Sequence, residues 1–337
     1  MSFHKTILAA AIGTLAFAGV ASAQAPEFFR IGTGGAGGTY FPIGGAIANA
    51  ISNPPGSKAC EDGGSCGVPN LIAIAQSTNA SVQNNLAVSN GELEAGMTGA
   101  SSLFEMYHGI GKFEGQALPN LRIVANLFPE DMHLVLPSGA TLADLADLEG
   151  KRVGVGQAGS GTQVNVLQIL GEYGVTRENM EAAELNNSQS AAQLADGQLD
   201  AYFYVAGWPV AAMVQLATTK GMDLYSFSDE EIAKIGEMIP SYAPSVIPAG
   251  AYEGLDEDVQ TVAVGAILVV NEDADEELIY EITKALWNDN TRKLLDNGHA
   301  KGKQITLETA LDGVANLDVP LHPGAARFYE EQGMSLE

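Results

Sequence analysis

"RIGTGGAGGTYFPIGGAIANAI", from Arg30 to Ile51, passes from an apolar strand start through clustered glycines into residues spaced as a helix. Ile43, Ala46, Ile47, Ala50 and Ile51 fall at helical intervals, and Pro42 is tolerated in a first turn. Glycines in that position let backbone amides approach a ligand, and the helix that follows adds its positive dipole end. A phosphate-binding P-loop would need Gly-Lys-Ser/Thr, a tripeptide absent from the chain. A dinucleotide fold would need an acid closing the next strand, but a polar loop intervenes and that strand ends in Gln76-Ser77-Thr78. A collar for a simpler anion is left, with Gly38, Thr39 and Tyr40 where the helix begins. The plainer reading makes Thr39 and Tyr40 a helix cap and a lid on the core.

A second unit, "RVGVGQAGSGTQVNVLQILGEYG" from Arg152, repeats this grammar and offers Ser160, Gly161 and Thr162 at its helix start. Each unit is followed by another strand, a polar turn, a short helix and a strand ending at glycine: "AIAQSTNASVQNNLAVSNGELEAGMTG" and "AAELNNSQSAAQLADGQLDAYFYVAG". The chain therefore reads as two related α/β lobes with largely parallel sheets. "LRIVANLF", "MHLVLP" and "TVAVGAILVV" read as further strands, and helices are expected over 191–199, 209–218 and 276–287. The outward crossing falls in "PSGATLADLADLEGKR" and the return in "IPSYAPSVIPAGAYEGLDED". That division gives 24–135 plus 255–337 as lobe I and 136–254 as lobe II. Two crossings make a hinge, and a hinged cleft can enclose a ligand.

The first 23 residues have a basic start at His4 and Lys5, an apolar run from Ile7 to Val20 and the ending Ala21-Ser22-Ala23. This reads as a secretory signal peptide cleaved after Ala23, which puts the mature protein in the periplasm. In that oxidising compartment the chain's two cysteines, Cys60 and Cys66, are expected to form a disulfide. Cleavage removes Lys5 and no acid, leaving 15 basic and 41 acidic side chains and a net charge of −26. Nucleic acid is excluded as a partner, because neutralising phosphates needs a basic face.

Two further loops offer polar contacts. "QSTNASVQNN" presents Ser77, Asn79, Ser81 and Asn84 at a strand end and helix start, where helix capping and ligand contact are equally open readings. "YVAGWPVAA" ends a strand at Gly207 and places Trp208 at a lobe edge, as a ligand contact or as an interface aromatic. An enzyme should leave a different trace. The histidines after His4 lie apart at 108, 133, 299 and 322 with no paired-ligand spacing, and no pair of carboxylates in a glycine or aromatic loop suggests general acid and base work. The expectation is a binding protein without catalysis, metal or cofactor.

These segments, with "GELEAGMTGAS", "LRIVANLFPEDMHLVL", "LADLEGKRVGVGQAGSGTQ", "YAPSVIPAGAYEGLDEDVQTVAVGAILVV" and "LHPGAARFYEE", closely resemble the TAXI group of solute-binding proteins. Those proteins are partners of tripartite ATP-independent periplasmic (TRAP) transporters. The resemblance implies a two-lobed periplasmic-binding-protein fold of type II with the ligand in the cleft. It implies a small carboxylate ligand such as glutamate, glutamine or 2-oxoglutarate, and delivery by a monomeric receptor to TRAP membrane permease subunits. Carried onto this chain, the contacts would be Gly38, Thr39, Tyr40, Ser77, Asn79, Ser81, Ser160, Gly161, Thr162, Gly207 and Trp208. The chain departs from the group where Asn79-Ala80 replaces its usual glycine pair. A binding protein for sensing or surface attachment, and an exported enzyme on the same scaffold, are the other classes that fit.

Overall fold

The computed structural model describes residues 25–335, so the signal-peptide reading lies outside the described residues. In chain order the first part comprises β1 (Glu27–Gly32), α1 (Tyr40–Ile51), β2 (Ser52–Asn53), β3 (Val68–Pro69), β4 (Leu71–Gln76), α2 (Ser81–Ser89), β5 (Ala95–Gly99) and α3 (Ala100–His108). Next come β6 (Leu121–Pro137), β7 (Arg152–Gly154), α4 (Gly161–Glu172), β8 (Glu181–Ala183), α5 (Asn187–Ala195) and β9 (Ala201–Ala206). Then follow α6 (Ala211–Lys220), β10 (Met222–Leu224), α7 (Asp229–Met238), β11 (Ala243–Ile247), β12 (Val259–Asn271), α8 (Glu276–Leu286), α9 (Asp289–Gly298) and α10 (Pro323–Glu331). The α1 face read from the sequence is the one that packs: Ile43, Ile47 and Ile51 have no exposed surface. Each such burial is worth about 1.5–3 kcal/mol.

The repeat is visible in the sheet. β4, β1 and β5 pair in parallel in that order, as do β8, β7 and β9. Arg30 and Arg152 stand at matching places and grip Glu94 and Asp200 through both guanidinium and backbone amide. Gly32 and Gly154 match too, since a Cβ at either would press on the second helix of its unit, α2 or α5, against Asn84 Oδ1 at 2.6 Å or Ser190 Oγ at 3.1 Å. Asn84 thereby proves to be a structural knot. Its amide donates to the Thr33 and Met97 carbonyls at 2.7 Å each and accepts from Thr78 Oγ1, tying β1 to β5.

Between the two triplets the sheet is not parallel, contrary to the expectation. "LRIVANLF" and "MHLVLP" form one 17-residue strand, β6, that continues through Pro129, which faces Gly265 of β12. β6 runs antiparallel to β12 up to Asp131 and antiparallel to β9 from Asp131 to Val135. One strand thus belongs to both lobes, changing partner at Asp131. The segment read as the return crossing contains β11, antiparallel to β12, where the sequence reading placed no strand. The helices expected at 191–199 and 209–218 begin instead at Asn187, behind an Asn186 capping box, and at Ala211. The disulfide Cys60–Cys66 is formed, in the loop between β2 and β3. That loop also holds Gly63-Gly64-Ser65-Cys66-Gly67, a Gly-x-Ser-x-Gly spelling away from any strand-to-helix elbow, where Ser65 bonds the Ser52 carbonyl.

Candidate functional site

The glycine loop after β1 lies in the cleft between the lobes and touches the opposite side at several points. Thr39 Oγ1 donates to the Gly207 carbonyl, Asn187 Nδ2 to the Gly37 carbonyl at 3.2 Å, and the Gln83 amide to the Gly159 carbonyl at 3.2 Å. A Cβ on Gly38 would lie 2.1 Å from Tyr204 Oη, and one on Gly161 would lie 2.8 and 2.9 Å from the hydroxyls of Ser102 and Ser81. Close approach of the lobes therefore requires glycine at both places.

These contacts enclose a cavity of about 150 Å³. Tyr40, Ser81, Ser101, Gly161 and Asn187 contribute to its wall, so the first turns of α1, α2, α3, α4 and α5 all converge on it. A helix start carries amides without an intrahelical partner and about half a positive charge, which favour an anion; of these first-turn amides Gln83, Gln163 and Gln189 are already bonded to Gly159, Ser160 and Asn186. Among the described residues no lysine or arginine lines the cavity. Ser102 Oγ, Asn165 Oδ1 and Asn187 Oδ1 line it, are buried and have no protein partner among the described residues. The Asn187 amide is oriented by its bond to the Gly37 carbonyl, which leaves its oxygen as an acceptor.

Of the expected contacts, Gly38, Thr39, Tyr40, Ser81, Ser160, Gly161 and Thr162 line this cavity. Thr39 is the residue before α1 but makes no capping bond there, its hydroxyl being spent across the cleft on Gly207. Ser160 caps α4 by accepting from the Gln163 amide, and Thr162 Oγ1 accepts from the Val205 amide. Both hydroxyls thus hold the scaffold. Ser77, Asn79, Gly207 and Trp208 do not line the cavity. Ser77 and Asn79 are exposed, with Ser77 Oγ donating to the Gly34 carbonyl and the Asn79 amide to Gln83. Trp208 packs its ring over Lys301 Nζ at 4.8 Å.

Ala80, at the departure from the glycine pair, precedes α2 at φ 70° and ψ −145° and lines the cavity. That region suits glycine and strains any residue with a Cβ by about 1–3 kcal/mol. Ala80→Gly is expected to raise folding stability by about 1 kcal/mol in chemical denaturation; a loss of stability would show that the methyl's packing outweighs its strain.

The sequence reading missed Glu130. It lies on β6, is 4% exposed, lines the cavity, and accepts a 2.5 Å hydrogen bond from Tyr40 Oη. Burial pushes its carboxyl up to about 8, with neighbouring Asp131 adding to the shift, while the Tyr40 bond and Lys301 oppose it. Next to it a second polar cluster sits at the strand crossover. Asp131 Oδ2 pairs with Lys301 Nζ at 2.9 Å, both side chains almost wholly buried, and Asp131 Oδ1 accepts from Ser245 Oγ at 2.6 Å. Burial lowers His133 to about 4, so its Nε2 is free to accept from Tyr252 Oη. A signal for these residues existed: "PEDMH" puts three ionisable groups in the middle of a largely apolar strand.

The two groups oppose each other in pH dependence. His133 contributes stability that is lost as pH falls from 6.5 towards about 4, and Glu130 contributes stability that is lost as pH rises from 4.5 through about 8. Their effects cancel between those ordinary values. A melting temperature that falls from the acid side of neutrality towards pH 8 is expected, and Glu130→Gln should flatten that limb; an unchanged limb in the variant would assign it to other groups.

Two α/β halves, two crossing strands shared between them and an enclosed cleft define the fold of periplasmic solute-binding proteins. The profile of the NMT1-like family matches residues 31–333, and the chain belongs to that family. A solved protein of Bordetella bronchiseptica RB50 is similar in fold at TM-score 0.50 and 15% identity, over 90% of this chain and 82% of that one. The alkanesulfonate-binding protein SsuA of Xanthomonas axonopodis pv. citri, bound to MOPS, aligns at TM-score 0.47 and 18% identity, over 91% and 85% of the two chains. PhnD1 of Prochlorococcus marinus (MIT 9301), in complex with methylphosphonate, aligns at TM-score 0.49 and 10% identity, over 80% and 89%.

Proposed function

We propose that this protein is a periplasmic receptor that captures a small organic carboxylate and delivers it to membrane permease subunits, without chemistry of its own. The observation that carries the proposal is the convergence of five helix starts on one cavity that no lysine or arginine lines among the described residues. Amides bind a carboxylate without burying a guanidinium, whose desolvation is costly. Asn165 Oδ1 and Asn187 Oδ1 add acceptors for a donor group on the ligand, such as an amine or hydroxyl. The two lobes would turn about the middles of β6 and β12, which moves the divisions read from the sequence at 135/136 and 254/255 into those strands: to Asp131, where β6 leaves β12 for β9, and to the stretch after Ala263, where β12 passes from β11 to β5. Closure follows from differential affinity, because the ligand meets both lobes only in the closed form.

The TAXI motifs support a TRAP-type permease, driven by an ion gradient, as the partner. Thermal-shift screening of dicarboxylates, keto acids, amino acids, alkanesulfonates, phosphonates, sugars and amines tests the ligand class. A ligand at 100 times its Kd adds about 2.7 kcal/mol. Stabilisation by L-glutamate, glutamine or 2-oxoglutarate is expected, and a response confined to sugars or cations would end the carboxylate reading. Uptake into vesicles carrying the permease should follow an imposed ion gradient; uptake that needs ATP instead would contradict the TRAP assignment.

A further inference from the structure

We propose that Glu130 is a specificity-determining residue of this cleft, and that the lobes close on the anionic ligand only when the Glu130 carboxyl carries a proton. At a pH where the free protein holds Glu130 ionised, capture of the anion then takes up one proton. The inference rests on the reading of the cavity as an anion site.

Glu130 is the one acidic or basic side chain in the cavity wall among the described residues. Five helix starts give that space a positive potential, and with no ligand bound an ionised Glu130 can answer it. A ligand carboxylate entering a cavity of about 150 Å³ brings a second negative charge within a few ångströms of the first. Like charges so placed do not both stay ionised, and the group that can be protonated in place gives way. Tyr40 Oη already donates to Oε2, so the added proton belongs on Oε1, where it makes the acid a hydrogen-bond donor. A neutral acid with one oxygen held in this way can select an acceptor on the ligand.

The groups facing Glu130 are three tyrosines and one buried ion pair. Tyr40 from α1, Tyr204 from β9 and Tyr242 after α7 are all pushed up by burial, above their usual range. Asp131 follows it in β6, with its two oxygens committed to Lys301 and Ser245. Lys301 is the nearby cation, paired to Asp131 and covered by Trp208. Burial already pushes the Glu130 carboxyl up to about 8 before any ligand charge is added.

Titration calorimetry of the full chain with 2-oxoglutarate and L-glutamate, in buffers of differing ionisation enthalpy, counts the protons taken up. Uptake near zero at about pH 6, rising towards one per ligand at about pH 9, is expected, with affinity falling about tenfold per pH unit above the Glu130 midpoint. Glu130→Gln should bring the count to zero at every pH. Tyr40→Phe removes the bond that favours the ionised form and should move the onset of uptake to higher pH. Binding of either probe with no proton uptake across this range, or uptake that persists in Glu130→Gln, overturns the inference and leaves the anion site standing. If neither these probes nor any other organic acid binds, the anion reading itself fails and the inference goes with it.

Discussion

Lys301→Met is expected to remove about 3–5 kcal/mol of folding stability, because it strands the Asp131 carboxylate in the interior with only Ser245 as partner. The pair sits where β6 leaves β12 for β9, and it joins that strand to the segment after α9 and to β11. Trp208, covering the Lys301 ammonium, would lose its cation as well. Asp131→Asn combined with Lys301→Met removes both charges and should recover most of the loss, as a buried pair is worth far less than a broken one costs. Equilibrium urea denaturation of the single and double variants measures this. A single-variant loss below about 1 kcal/mol would show that water reaches Asp131 and that the pair is not sealed.

Gly161→Val is expected to weaken ligand binding about 100-fold while leaving the ligand-free protein as stable as before. The new Cβ would lie 2.8 Å from Ser102 Oγ and 2.9 Å from Ser81 Oγ, contacts that exist only where the lobes meet. Overpacking of this kind costs about 1–3 kcal/mol, and 2.7 kcal/mol is a hundredfold in Kd. An open cleft never makes the contact, which separates this prediction from a simple folding defect. Affinity within about threefold of the unaltered protein would mean that α4 does not approach α2 and α3 in the bound form.

The fold was legible to the extent that local grammar repeats. The strand, glycine loop and helix at Arg30 and again at Arg152 announce two α/β units, and the paired Arg30–Glu94 and Arg152–Asp200 clamps are that repeat in three dimensions. The crossing strands were harder to read, since Pro129 suggests a break, whereas opposite Gly265 it is carried inside a continuous strand. β11 was hidden because "YAPSVIP" spells a loop, and it becomes a strand by pairing with the edge of β12.

Of the loops read from the sequence, the glycine and hydroxyl loops at α1 and α4 line the cavity, and they were legible because their physics is local. Ser77 and Asn79 failed to reach the cavity because Ala80 turns the chain sharply before α2, exposing what precedes it. Glu130, Asn165 and Asn187 were missed because their role depends on which elements meet across the cleft. Asn187 could have been found by carrying the repeat one step further, from the start of α2 to that of α5.

The most direct measurement of the central claim is the structure of the protein saturated with the organic acid that raises its melting temperature most. The account predicts the ligand carboxylate within hydrogen-bond distance of the first-turn amides of α1 and α4, enclosed between Gly38 and Gly161, with Glu130 against the ligand's acceptor. A carboxylate paired instead with a lysine or arginine, or seated outside the cavity bounded by those helix starts, would contradict it.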